Sequence, residues 1–206
     1  MRGRWFPVAA GTAALAIGAL THRGRGRDLD HRLYRAVNRG HGPQADAFLS
    51  GITELGSIMA SAGAAAAVAA SGRRREAADA LGAAGAMWLV GQAAKRVVLR
   101  PRPYHALPDV RLLIGEPRGT SWPSSHPAVL LAFLTVLSRD LDASHAVKAG
   151  LLGVAGIVGV SRVYLGVHYP ADVAGGMLLG RGVADLWSGL VSSWTLGRSP
   201  RVELSR

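Results

Sequence analysis

No cysteine occurs in the 206-residue sequence. Disulfides, thiolate nucleophiles and thiolate metal ligands are therefore excluded, and cysteine usage says nothing about compartment. Aromatic residues are scarce, at 6% against 49% hydrophobic. Ala, Gly and Leu supply the apolar content instead, and 27 glycines suit helices packed at close range in a membrane. An Ala-rich soluble bundle has a similar composition, so segment length has to decide. Acidic residues are also few: 13, against 24 Lys and Arg, for a net charge of +11. Lysine is nearly missing, with Lys95 and Lys148 alone among the cations. The arginines are spread over the ends of apolar segments and do not line one polar helix. That distribution argues against nucleic acid and for anionic lipid headgroups or phosphate as partners. No internal repeat and no second domain is visible, so residues 1–206 read as one membrane-embedded domain.

Six apolar segments follow in order. A basic start, Met1 to Arg4, leads into Trp5 to Leu20. No convincing cleavage site closes that run, so it is expected to stay as a first membrane helix. His22 to Ala47 is polar and Arg-rich. Leu29, Leu33 and Val37 recur there at four-residue spacing, which suits a helix lying on the membrane surface, broken at Gly40 to Pro43. Phe48 to Gly72 is expected as one second helix, with Glu54 near its end as a structural partner for an arginine. The basic turn Arg73 to Arg75 is the best cytoplasmic marker. Ala77 to Leu99 reads as a third helix, ended by Pro101 and Pro103. The fourth is expected from Pro127 to Ser138, and the fifth from Val147 to Leu165 with an interruption at Ser161-Arg162. The sixth runs from Pro170 to Val191, with Arg181 and Asp185 neutralising each other inside the bundle. About 20 apolar residues cross a bilayer. The expected fold is therefore all-α, a six-transmembrane helical bundle. The arginines between Arg23 and Arg39 fall on the outer side in this scheme, against the positive-inside rule.

Three polar clusters stand where these segments end: Lys95 to Pro103, Trp122 to His126, and Ser161 to Asp172. In a six-helix alternation they meet on one face. Lys95, Arg102 and Arg162 bring three cations. Ser124 and Ser125 bring hydroxyls and amides beside a helix start, where free N–H groups favour anions. His126 and His168 bring two imidazoles, and Asp172 follows His168 by four residues. Charges at membrane depth are costly unless they pair or work. Three cations at a helix start suit a multiply charged anion, and phosphate fits. Two imidazoles allow covalent transfer: one attacks phosphorus, while the other protonates the leaving oxygen and later activates water. Asp172 can hold one ring in the right tautomer. A metal on His126, His168 and Asp172 is the competing chemistry, but three neighbouring cations would repel a divalent ion. No metal or other cofactor is expected.

Lys95-x6-Arg102-Pro103, Pro123-Ser-Ser-His126 and Ser161-Arg162-x5-His168-x3-Asp172, in that order, resemble the three-part signature of the type 2 phosphatidic acid phosphatase family, membrane relatives of the vanadium haloperoxidases. The resemblance implies a membrane lipid phosphatase. It implies His168 as the nucleophile that becomes phosphohistidine, Asp172 as its orienting carboxylate, and His126 as the general acid. Lys95, Arg102, Arg162, Ser124 and the amide at Ser125 would bind the phosphate oxygens. Ser125 departs from the family pattern, which usually has Gly there. The expected substrate is a lipid phosphate or diphosphate: polyprenyl diphosphate, a polyprenyl-phosphoryl phosphoribose, or a phosphatidic acid type. The expected place is the plasma membrane, with the site on the extracytoplasmic face. Membrane lipids are the expected surroundings, with no nucleic acid and no specific protein partner. Two alternatives stand beside this reading: a vanadate-dependent haloperoxidase, and a non-catalytic lipid-phosphate binder or transporter.

Overall fold

The computed structural model describes residues 5–24 and 26–196. The basic start before Trp5 and the basic tail beyond Leu196 lie outside them. The described residues are helical, with no strand among them. The elements are α1 (Phe6–Arg23), α2 (Arg27–Asn38), α3 (Pro43–Ile52), a 3₁₀ turn (Thr53–Gly56), α4 (Ile58–Ala70), α5 (Arg74–Val97), α6 (Pro103–Ala106), α7 (Ser125–Asp140), α8 (His145–Tyr164) and α9 (Pro170–Leu196). Proline opens α3, α6 and α9, where its missing N–H costs nothing. Ser57 and Ser144 cap α4 and α8 by accepting from Ala60 N and Val147 N.

The expected segments are all helical, with three corrections. The second is not one helix: α3 and α4 meet at a 67° bend. Thr53 and Gly56 are buried at that bend because it packs against the site, as described below. Nor is α8 interrupted, since Ser161 and Arg162 are buried within its last turn. Arg181 and Asp185 do pair, at 3.0 Å, but on the outer surface, where the arginine is half-exposed. As membrane spans the six segments are less plain than their helicity. Among the described residues α8 alone is long and apolar enough to cross a bilayer by itself, and the bent α3–α4 pair passes only when taken together. Helix α7 has only 16 residues, and charged residues stand inside the longer helices, Asp79 in α5 and Arg181 and Asp185 in α9.

The centre of the bundle is α7, packed between α5 and α9, with α4 outside α5 and α1 outside α9. Pro127 through Phe133 are all buried. Helices α7 and α9 touch backbone to backbone. A Cβ added at Gly176 or Gly180 would fall 2.4 Å from the carbonyl oxygen of Ser124 or Ala128 respectively. This is the small-xxx-small device of close helix pairs. Trp122, fully buried, fills the gap between α1 and α9, where Gly18 and Gly175 leave room for its indole. The result fixes the start of α7 against the start of α9.

Candidate active site

Five pieces of chain converge at one end of the bundle. The last turn of α5 contributes Lys95 and the linker after it contributes Arg100 and Arg102. The first turn of α7 carries Ser125 and His126, the last turn of α8 carries Arg162, and the α8–α9 turn with the start of α9 carries His168 and Asp172. A cavity of about 720 Å³ opens between them, lined by Lys95, Arg102, Ser125, His126, Arg162 and His168. Arg96 and Arg118 also reach it, and among the described residues no carboxylate lines it. The charged side chains of the lining, among the described residues, are all basic.

Each cation is held by neutral oxygens, which leaves its charge for a ligand. Lys95 Nζ donates to Thr120 O at 3.1 Å. Arg102 donates through Nε to Gly119 O and through Nη1 to Val167 O, both at 3.0 Å. Arg162 Nη1 donates to the hydroxyl of Thr53 at 2.9 Å, while its Nε has no partner. This is why the bend between α3 and α4 matters. Its Thr53 supports a site cation, and its Gly56 lies so close to His126 that a Cβ there would sit 2.6 Å from the His126 Cβ. Glu54, expected as an arginine partner, acts on Arg162 through space and forms no direct ion pair among the described residues; the direct contact is made one position earlier, by Thr53. Glu54 points outward and Thr53 points in.

His168 turns its two nitrogens to opposite charges. Nε2 lies 3.4 Å from Arg102 Nη1. Nδ1 lies 3.6 Å from Asp172 Oδ2 and has no hydrogen-bond partner. Burial pushes the imidazole well below its ordinary pKa, against the pull of the Asp172 carboxylate, so the ring is neutral near pH 7. Asp172 is fully buried and filled with donors. Oδ1 accepts from Arg100 Nη1 at 2.8 Å, and Oδ2 accepts from Tyr169 N at 2.8 Å and from the Ser121 hydroxyl. Its backbone carbonyl also accepts from Ser124 N, tying α9 to the start of α7.

Of the eight residues singled out by the sequence, six line the cavity and Asp172 stands directly behind His168. Ser124 is the exception. It is fully buried beside α9 and is not part of the lining. Ser125 lines the cavity, its hydroxyl unpartnered and close against Gly91. Sequence reading missed Arg100, Asp30, Ser121 and Thr53. Only Arg100 left a signal, as the first arginine of the repeated pair Arg100-Pro101-Arg102-Pro103. Among the described residues no group of three or more His, Asp or Glu is placed to hold a metal ion.

Known proteins share sequence and fold with this chain. The model of the PAP2 superfamily matches residues 76–195. Over 82 residues the chain is 40% identical to a decaprenylphosphoryl-5-phosphoribose phosphatase of Mycolicibacterium smegmatis, covering 40% of this chain and 42% of that protein. Over 100 residues it is 32% identical to an undecaprenyl-diphosphatase of Sulfolobus acidocaldarius, covering 48% and 47%. The matched stretch thus spans less than half the length of either relative. The fold superposes on the crystal structure of the first transmembrane PAP2-type phosphatidylglycerolphosphate phosphatase from Bacillus subtilis with a TM-score of 0.71 and 25% identity, covering 92% of this chain and 97% of that one.

Proposed function

The chain belongs to the PAP2 superfamily, and from that premise we propose that it is an integral membrane phosphatase that removes phosphate from a lipid phosphate or diphosphate through a phosphohistidine on His168. One observation carries the reading: two imidazoles and three neutrally supported cations face one cavity that, among the described residues, no carboxylate lines. The reaction then follows from position. Lys95, Arg102, Arg162 and the free amides at the start of α7 hold the phosphate oxygens and offset their charge in the transition state. The Nε2 lone pair of His168 attacks phosphorus. The bond from phosphorus to the lipid oxygen breaks, and that oxygen takes a proton from His126, which enters the step as the imidazolium and leaves it neutral. Water then gives a proton to His126 and attacks the phosphohistidine, releasing inorganic phosphate and the free imidazole. Asp172 stabilises the charge that develops on His168 as it attacks. Ser124 contributes by fixing the start of α7 against α9.

We read the chain as one membrane-embedded domain whose six long helical segments cross the bilayer, α3 and α4 counting as one. Large apolar side chains are exposed on the outside of the bundle, among them Leu15, Met59, Leu89, Leu152, Ile157 and Leu190. Such a surface suits lipid. The 24 residues of α5 put Arg74 about 35 Å from the site end. Positive-inside then places the Arg73–Arg75 turn in the cytoplasm and the cavity outside. Both curated relatives are named for polyprenyl-linked substrates, so a polyprenyl carrier is the first lipid to try. The test is phosphate release by detergent-purified protein from polyprenyl diphosphate, polyprenyl-phosphoryl phosphoribose and phosphatidic acid, with EDTA present. Release that survives the chelator and disappears in His168→Ala supports the reading. A folded protein that releases none from any of them overturns it.

A further inference from the structure

We propose that Asp30, on the surface helix α2 and outside the cavity, is a positioning residue that acts through Arg100 to set Asp172 and, through it, His168. The proposal deepens the phosphatase reading and rests on it. Arg100 is buried and forks between two carboxylates, with Nη1 on Asp172 Oδ1 at 2.8 Å and Nη2 on Asp30 Oδ2 at 2.5 Å. The three side chains are 3% exposed or less. The Tyr169 ring closes over the guanidinium, 3.9 Å from its centroid. The other oxygen of Asp30 accepts from Ala171 N at 2.8 Å. Asp30 therefore grips the first turn of α9 twice, once through the backbone beside Asp172 and once through the arginine on Asp172 itself.

The charge count explains why a second carboxylate is useful. Arg100 alone would neutralise Asp172, and His168 would then lose the negative charge that favours its cationic form during attack. With Asp30 sharing the guanidinium, the buried triplet keeps one net negative charge, with His168 against Asp172 on one side and His31, stacked on Tyr169, on the other. Removing one member of a buried ion cluster is normally costly because a charge is left unpaired. Here the unpairing would fall on the orienting carboxylate. The opposite face of α2 exposes Leu29 and Leu33. Arg27, Asp28, Arg32 and Arg35 are exposed with them, so Asp30 is the one carboxylate that α2 buries, beside Tyr34 and Asn38.

The experiment uses full-length protein in detergent, with farnesyl diphosphate as the turnover probe and ¹⁵N-histidine NMR as a readout independent of turnover. The His168 resonances are identified by their loss in His168→Ala. Asp30→Asn keeps an acceptor for Ala171 N and removes the charge. It should lower kcat by about thirtyfold with KM nearly unchanged, the pattern of a misplaced reacting group, and shift the His168 Nδ1 resonance. An unmoved Nδ1 resonance, or a kcat loss that merely follows the loss of folded protein, overturns the proposal. If Asp30→Asn does not fold, Arg100→Lys carries the test. It keeps the charge but cannot fork, so wild-type kcat and an unmoved resonance would overturn the proposal equally. A shifted resonance in a protein that hydrolyses no lipid phosphate would uphold the positioning role and sink the phosphatase reading instead.

Discussion

The Asp172 carboxylate sits behind His168 with Oδ2 3.6 Å from Nδ1, close enough to attract a proton there but too far for a formed hydrogen bond. Catalytic hydrogen bonds often tighten only when substrate is bound. His168 lines the cavity with Nε2 3.4 Å from Arg102 Nη1, so phosphate held by Arg102 meets that nitrogen. Asp172→Asn keeps the shape and removes the charge, and it also turns an amide toward a ring that must donate there. Turnover is expected to fall by about a thousandfold or more, with KM changed little. Steady-state phosphate release checks this, and activity near wild type would mean that another group orients His168.

The contact between α7 and α9 makes a second prediction. Gly176 has no space for a methyl group, since a Cβ would meet Ser124 O at 2.4 Å. In Gly176→Ala the start of α7 must move, and Ser125 and His126 move with it. Gly180→Ala crowds Ala128 O by the same margin, one turn further from the cavity. Both should cost about 1–3 kcal/mol of stability by overpacking. Gly176→Ala alone should also lose most of its turnover when compared at equal folded fraction. Equal turnover in the two variants would detach the α7–α9 contact from the site.

These contacts mark where the sequence was readable and where it was not. The start of α9 at Pro170 and the end of α5 before Pro101 were legible because proline acts locally, whereas Pro43 and Pro103, expected only as breaks, open α3 and α6. The convergence of His126, His168 and Lys95 was legible because three polar clusters closed apolar runs, and alternation puts such ends on one face. Asp30 was hidden. It lies in an Arg-rich stretch where a carboxylate looks like a solvated charge, and only the fold shows it buried against Arg100. Thr53 was hidden for a related reason. The apolar run from Phe48 hides the bend, so the charged neighbour Glu54 attracted the pairing that the small hydroxyl makes. Ser124 and Ser125 look equivalent in sequence, yet the helix start turns one into the packing and the other into the cavity.

Thr53→Val tests the bend directly. The substitution keeps the side-chain shape and deletes the hydroxyl that accepts from Arg162 Nη1 at 2.9 Å. Arg162 already lacks a partner for Nε, so its guanidinium would lose a side-chain anchor in a buried place. A hydrogen bond to a charged group contributes about 1.5–3 kcal/mol. The expected result is a drop in kcat/KM of about tenfold or more, with the melting temperature lowered only slightly. An unchanged kcat/KM would show that the cavity, and not α3–α4, holds Arg162 in place.

Ser125 stands where the sequence reading expects the family pattern to have Gly, and its geometry decides what the serine does. The hydroxyl has no hydrogen-bond partner in the protein and lies against Gly91 at the cavity wall. The amide of Ser125, at the first position of α7, is available whatever the side chain is. Ser125→Gly should therefore keep turnover within about threefold, because the amide and the helix start carry the anion binding. It should also widen the cavity beside Lys95, so any gain ought to appear with the bulkier headgroups of a lipid-phosphate panel. Comparing kcat/KM for a phosphate monoester and a phosphosugar ester in the two proteins separates the roles. A collapse with both substrates would show that the hydroxyl itself donates to phosphate, which would make the serine a working part of the site and not a spacer.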